Sequence, residues 1–487
     1  MNPSDISGQI ALSFIGFLCI FTLVGLAAVL QRRGTRQDYY LADSSIKPWL
    51  VGLSAVATNN SGYMFIGVIG YTYTTGLASV WLMTGWIIGD FLASRFVHER
   101  LRRATTATDE ASYGAVLSSW QGDRQLALRR LIGIISLVFL LTYASAQLVA
   151  GSKALHVLFD WPIWLGAVIG SVIVTLYCFV GGIRASIWTD AAQSFVMFVA
   201  MATLLWVAVD WAGGISQTIA QMQEIDGFLD WFPKDTLLPG AAGAGLFVVS
   251  WLFAGMSVIG QPHIMVRFMA LDDANNMGRA RAWYYLWFTA FYCLATGVGM
   301  LSRLYISDTV AFDAELALPT MAMGLLPPLL VGLILAGVFA ATMSTADSLI
   351  LSCSAAVTQD LLPKPIENPL LIKASTVGIA MLALLLAISN TQSVFSLVIM
   401  AWAALASAFA PLLLALCLGQ RPAQSTSIVA VLSGVATVVL WHYLEWQALV
   451  YEGLPGIIVG ALVLWLGSIV QRRIPAVSPP AKSIRKG

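Results

Sequence analysis

Residues 49–76 read "WLVGLSAVATNNSGYMFIGVIGYTYTTG", an apolar stretch long enough to cross a bilayer, with Thr58-Asn59-Asn60-Ser61-Gly62 at its centre. Asn and Ser side chains compete with the helical backbone for hydrogen bonds, and Gly relaxes it. Residues 249–270, "VSWLFAGMSVIGQPHIMVRFMA", repeat the pattern with Gly255, Ser257 and Gly260-Gln261-Pro262 at the centre, where Pro also removes a donor. An interrupted helix at membrane depth is tolerated only where its freed backbone is buried in protein or lines a cavity. Both stretches therefore predict broken membrane helices around an internal site.

The composition agrees. Of 487 residues, 58% are hydrophobic and 10% charged, well below the roughly 25% charged of soluble domains. Apolar runs of spanning length recur along almost the whole chain. Thirteen segments are expected, centred near residues 20, 60, 86, 142, 171, 200, 254, 293, 341, 381, 406, 435 and 462. The fold class is an all-α polytopic membrane protein with no soluble domain, in the cell (plasma or inner) membrane and with the lipid bilayer as its surroundings. Basic residues cluster in "QRRGTR" (31–36), "HERLRR" (98–103), "ALRR" (127–130), "GRAR" (278–281) and the tail. With the N-terminus outside and the C-terminus cytoplasmic, Lys153, Lys234 and Arg303 are the three Lys and Arg not at or near cytoplasmic ends. The first span is expected to be retained, because no positive region precedes it. The net charge of +1 says nothing about partners, and nothing points to nucleic acid or to an obligate protein partner. Cys19, Cys178, Cys293, Cys353 and Cys417 lack paired spacing and read as small core residues.

Interrupted spans at corresponding positions in two halves point to a transporter with inverted repeats of the leucine-transporter type and a site at the midplane. The repeats are expected at 46–212 and 241–418, five helices each. An extra N-terminal helix (9–31), two extra C-terminal helices (425–471) and a cytoplasmic tail (472–487) complete a single transporter domain. The outside segment 213–240 spaces its apolar residues like a helix lying on the surface, as a packing lid or a gate.

The third helix of the second repeat contains "FAATMSTADSLILSCSAAVTQD" (339–360), with Thr342, Ser344, Thr345, Ser348 and the carboxylate Asp347 within seven positions. An ionisable group in hydrocarbon is a functional hypothesis by default. Ala341, Ser344 and Thr345 stand at i, i+3 and i+4 on one helix face. Their oxygens, with carbonyls from the break at Ala57 and Asn60, suit a hard monovalent cation. Alternatively, the hydroxyls bond back to carbonyls four residues earlier in their own helix.

Four segments carry a resemblance: "MSTADSLILSCSAAVTQDL" (343–361), "VGGIRASIWTDAAQ" (180–193), "GQPHIMVRFMA" (260–270) and "ATNNSGYMFIGVIGYTYTTGL" (57–77). In the same order and over nearly the whole chain, they are similar to the sodium:solute symporter family, nearest its sodium/proline symporters. The resemblance implies thirteen helices and a sodium ion, the coupling ion, held by the carbonyls of Ala57, Asn60 and Ala341 and the hydroxyls of Ser344 and Thr345. It implies a possible second cation or coupling site at Asp190, Asp347 and Ser348, which could bind sodium or a proton, or pair with Arg184. It places Tyr143 and the region of Asn59, Ser61, Gly62, Tyr63 and Gln261 along the solute cavity. This chain has Asn59 for an Asp, Tyr63 for a Trp, and Ala254 and Val258 for a Trp and a Tyr, which enlarges or reshapes the pocket.

The expected function is therefore sodium-driven import of a small organic solute, an amino acid such as proline, by alternating access. A small carboxylate as solute, or a solute sensor acting with a separate signalling partner, are the alternatives. No G-x-S-x-G, no H-E-x-x-H and no facing carboxylate pair supports an enzyme. Asp90, five residues before Arg95, reads as a buried pair or interfacial charge. The four histidines (His98, His156, His263, His442) make no metal spacing, and His263 reads as structural.

Overall fold

The computed structural model describes residues 3–30, 33–307, 312–389 and 393–473. The tail from 474 and residues 31–32, both assigned above to the cytoplasmic side, lie outside that range. Every regular element longer than a single bridge among the described residues is a helix, and the one bridge joins Ile46 and Leu271.

Helix α1 (Pro3–Val29) precedes the broken pair α2 (Pro48–Asn59) and α3 (Ile69–Thr75), which α4 (Val80–Thr108), α5 (Leu126–Phe159) and α6 (Ile163–Trp211) follow. The second half begins with α7 (Gly240–Met256) and the short α8 (Pro262–Met269), then α9 (Met277–Tyr305) and α10 (Pro328–Ala355). The chain closes with α11 (Pro369–Ser389), α12 (Val394–Cys417), α13 (Gln424–Tyr443) and α14 (Gly453–Arg473).

Eleven helices among the described residues are long and apolar enough to cross a membrane, where the sequence predicts thirteen spans. The segments near 60 and 171 are the two without a separate counterpart among them. At 12 residues, α2 is about 18 Å long, short of a hydrocarbon core of about 30 Å. One continuous stretch, Tyr63–Thr108, contains Gly76 at φ +69°, ψ −141°, which leaves the helical backbone. A Cβ at Gly76 would meet the Phe228 carbonyl at 2.2 Å, so only glycine fits. Helix α6 breaks at Gly182 (φ +57°, ψ −152°), in the Gly-Gly turn noted in the sequence.

Helix α10 is the hub, packed against α1, α5 and α6, with α2 crossing it. It is buried almost from end to end, unlike the peripheral α11, whose Leu370 and Leu385 are 73% and 61% exposed. Such outward apolar side chains are what lipid contact requires. The 213–240 segment forms the helix Ile215–Gln223 and folds over the Gly76 end, where Leu77 N–H donates to the Phe228 carbonyl. Cys178, Cys353 and Cys417 are buried as expected, whereas Cys19 and Cys293 are exposed.

Candidate functional site

The two breaks differ in depth. In the second, Gln261 is extended (φ −99°, ψ 100°), so α7 and α8 are separate half-helices. The first is milder: Asn60 and Gly62 stay in the right-handed region, and the chain widens into a π turn over Tyr63–Val68. The Gly62 N–H, which a continuous helix would direct at the Thr58 carbonyl, donates to Gln147 Oε1 at 2.8 Å. Thr58 O accepts the Thr345 hydroxyl at 2.8 Å. Ser344 Oγ lies 3.1 Å from both the Ala57 and the Ala341 carbonyl oxygens. Thus α10 is tied to the first break by neutral oxygens, all buried and with no cationic side chain among their recorded partners. The structure brings Ala57, Ala341, Ser344 and Thr345 together, and the Thr58 carbonyl joins them. The Asn60 N–H is spent on Val56, and its Oδ1 has no partner. Bonding back within the helix is the fate of Ser348, which donates to Ser344 O at 2.5 Å, and not of Thr345.

One turn further along α10 the surroundings are charged. Asp190 and Asp347 face Arg267, whose Nη2 is 3.4 Å from Asp190 Oδ2 and 3.9 Å from Asp347 Oδ1. The pairing with Arg184 considered from sequence does not form: Arg184 Nη2 donates to Asp38 Oδ1 at 2.7 Å and to the Ala42 carbonyl at 2.9 Å. Arg184 is diverted because the turn at Gly182 sets it beside the helix Arg36–Leu41. Asp90 does not pair with Arg95 either. It accepts the Tyr284 hydroxyl at 2.6 Å and the Tyr285 hydroxyl at 2.9 Å. Tyr284 also accepts Asn59 Nδ2 at 2.6 Å, which turns the Asn59 side chain to this carboxyl.

Beside the first break, the Tyr143 hydroxyl bonds Ser61 Oγ at 3.2 Å. The Tyr63 ring lies 5.8 Å from Trp86, which lies 5.1 Å from Trp402. His263 stands edge-on to Tyr143 at 5.4 Å and to Trp402 at 6.3 Å. Trp402 Nε1 donates to the Ala254 carbonyl at 3.0 Å, so an α12 indole lies against α7 at Ala254. Gln261 Nε2 clamps the Trp402 carbonyl at 2.9 Å. Gly62 is fixed by space, since a Cβ there would lie 2.5 Å from Thr342 Cγ2. Buried polar atoms without a partner gather on these residues: Asn60 Oδ1, Tyr63 Oη, Gln147 Nε2 and Gln261 Oε1.

Sequence reasoning missed Gln147, Trp86, Trp402, Tyr284 and Arg267. Arg267 and Gln147 had a usable signal, as polar groups inside otherwise apolar runs.

Both ends of this core are closed by polar contacts. At one end Glu315 accepts the backbone N–H groups of Val394 and Phe395 at 3.2 and 2.9 Å and pairs with Lys153 at 2.6 Å. Phe395 stacks on Tyr63 and Tyr71 there, with centroids 5.4 and 5.3 Å apart. At the other end Arg129 bridges Asp360 at 3.2 Å and Glu110 at 3.3 Å. A cavity lined by Tyr40, Ser112, Asp360 and Pro262 reaches Arg267 from that side.

Comparison with known proteins agrees with this geometry. The sequence profile described as the sodium:solute symporter family matches residues 39–434. A high-affinity proline transporter, PutP, of Bacillus subtilis is 28% identical over 92% of this chain and 95% of its own. The sodium/proline symporter of Escherichia coli is 27% identical over 96% and 94%. The structure of a Na+-coupled sialic acid symporter in a substrate-bound outward-open state superposes with a TM-score of 0.78 at 17% identity, covering 95% of this chain and 98% of that one. MhsT in complex with L-phenylalanine gives 0.57 at 13% identity over 87% and 97%. These relatives are transporters and not enzymes, and the architecture is that of the leucine-transporter fold. The chain is an integral multi-pass membrane protein that belongs to the sodium:solute symporter family and uses sodium as its coupling ion.

Proposed function

We propose that this symporter imports an amino acid of the proline type. Sodium sits against Ala57, Ala341, Ser344 and Thr345, and the solute lies beside Ser61, Tyr63 and Tyr143. The observation that carries the reading is the Ser344 hydroxyl set between the carbonyls of Ala57 and Ala341, which joins two helices through oxygen alone. Oxygen ligands without fixed geometry suit a hard monovalent cation. The unpartnered atoms favour an amino acid over a simple carboxylate. Tyr63 Oη and Gln147 Nε2 can donate to a carboxylate, while Gln261 Oε1 and Asn60 Oδ1 can accept from an ammonium. Trp86, Trp402 and Tyr63 offer apolar faces to a ring or aliphatic side chain. The proline transport in the relatives' names supports the same solute class.

The test is radiolabelled uptake by proteoliposomes against a panel of amino acids and small carboxylates. Proline or a close analogue should accumulate only with an inward sodium gradient. Preference for a carboxylate lacking an amine would overturn the solute assignment, and sodium-independent binding without uptake would favour a sensor.

The remaining architecture belongs to the same reading: thirteen spans, repeats at 46–212 and 241–418, the N-terminus outside and the C-terminus cytoplasmic. Arg36, Arg129 and Arg130 line one cavity mouth beside Glu110 and Asp360, at the end read as cytoplasmic. In a chain without its five native cysteines, Asp5→Cys and Ser483→Cys should label from opposite sides of the membrane. Labelling of both from outside would sink this topology.

A further inference from the structure

Helices α4 and α9 pack side by side, with the Phe91 ring edge-on to Tyr285 at 5.3 Å. Both turn large apolar side chains outward beside this contact: Ile88, Phe91 and Leu92 on α4 and Leu286 on α9. Toward the end read as cytoplasmic, Arg95 follows Leu92 by three residues and Phe91 by four, so it continues their exposed stripe. Arg281 reaches the same place from α9. Its Nη1 donates to the Arg95 carbonyl at 3.1 Å and its Nε lies 3.5 Å from the Met277 carbonyl. Nη2 has no partner among the described residues. Trp283, exposed two residues further on, is of the residue type that gathers at headgroup depth. Buried charges are ordinarily paired, and Arg281 is only 8% exposed. Yet neither arginine forms a salt bridge among the described residues. Glu99, one turn past Arg95, is bound to Arg103 at 2.8 Å. Arg95 repels Arg281 more strongly than Glu99 attracts it. The place lacks an anion.

We propose that the groove between α4 and α9 binds an anionic phospholipid, with its phosphate at Arg95 and Arg281 and an acyl chain along Phe91, Leu92 and Leu286. Guanidinium groups suit a phosphate because their planar donors take two of its oxygens at once, and they keep their charge at any accessible pH. Basic side chains between membrane helices at headgroup depth are where anionic lipids are held. A zwitterionic lipid brings its own ammonium to the same place and leaves the two positive charges uncompensated. The apolar stripe decides for a lipid over a free phosphate, since it runs from the arginines into the hydrocarbon layer. The site shares no residue with the sodium and solute assignments and is independent of them.

The test is photolabelling of the full-length transporter in vesicles by phospholipids that carry a diazirine on the acyl chain. A phosphatidylglycerol probe should label α4 near Phe91 and Leu92 and α9 near Leu286, and a phosphatidylcholine probe of the same chain should label them far less. Arg95→Gln and Arg281→Gln should each weaken the phosphatidylglycerol labelling roughly fivefold. Arg124→Gln removes an exposed arginine elsewhere at the same end and should leave it unchanged. Equal labelling by the two probes, or full labelling of the Arg95→Gln protein, would overturn the proposal. Displacement by inorganic phosphate, where chloride at the same ionic strength does nothing, would also overturn it and make this a site for a soluble anion. Arg95 is exposed and its side chain has no partner among the described residues, so Arg95→Gln decides even if Arg281→Gln does not fold. The labelling is read without sodium or solute, so a failure of the proposed function leaves its outcome untouched.

Discussion

Two oxygen clusters sit within one turn of each other on α10, and they are built on opposite principles. Around Ser344 and Thr345 every partner is a hydroxyl or a backbone carbonyl: Ala57 O, Thr58 O and Ala341 O. Around Asp347 and Ser348 the partners are a second carboxylate and a guanidinium. The neutral cluster has partial negative charge and no cationic side chain of its own, so any cation it holds has to come from solution and can leave again. The charged cluster carries its own cation on a covalent stem. One arrangement suits an ion that is transported, and the other suits a joint that holds helices in register.

The largest expected effect comes from removing the resident cation. Arg267→Met leaves Asp190 and Asp347 buried with no positive partner. Breaking a buried pair in this way costs about 3–5 kcal/mol. In sodium-free detergent the variant should therefore melt well below the wild type. A variant as stable as the wild type without sodium would show that the cluster does not hold the fold together.

The neutral cluster should answer in the reverse sense. Ser344→Ala and Thr345→Ala remove one oxygen each from a cation that cannot easily recruit water there. Taking hydrogen bonds to charged groups as the proxy, the loss is about 1.5–3 kcal/mol. That is roughly a ten- to hundredfold weaker apparent sodium affinity. Uptake should recover at high sodium, because sodium and solute tighten each other by reciprocal linkage through the first break. Thr345→Ser keeps the oxygen and should keep most of the affinity. Parental sodium dependence in both alanine variants at normal expression would remove sodium from this position.

The contrast also explains what the sequence could disclose. Ser344, Thr345 and Ala341 share a face because of helical spacing alone, and the two breaks declare themselves by their Asn, Gly and Pro. Spacing and local chemistry were enough for those features. Arg267 meets Asp190 across 77 residues and Ser348 across 81, and nothing local to either end encodes that meeting. Arg184, only six residues before Asp190, was the nearer candidate, and the backbone turn at Gly182 takes it to Asp38 instead. The same limit applies to the pocket wall. Ala254 and Val258 signalled a missing aromatic surface, but the Trp402 that covers Ala254 comes from 148 residues away.

The smallest effect tests whether the solute side can be separated from the sodium side. Tyr143 reaches the first break through its hydroxyl, 3.2 Å from Ser61 Oγ, and makes no recorded contact with Ser344 or Thr345. Tyr143→Phe keeps the ring edge-on to His263 and removes only that hydroxyl. The loss of one neutral hydrogen bond is about 0.5–1.5 kcal/mol, or roughly two- to tenfold in solute affinity. Apparent sodium affinity measured with solute present would move with it through linkage, so that measurement cannot discriminate. Sodium binding must be measured without solute, where Tyr143→Phe should match the wild type within about twofold. If solute-free sodium binding weakens while solute affinity holds, Tyr143 belongs to the ion site, and the wall has to be rebuilt around Tyr63, Trp86 and Trp402.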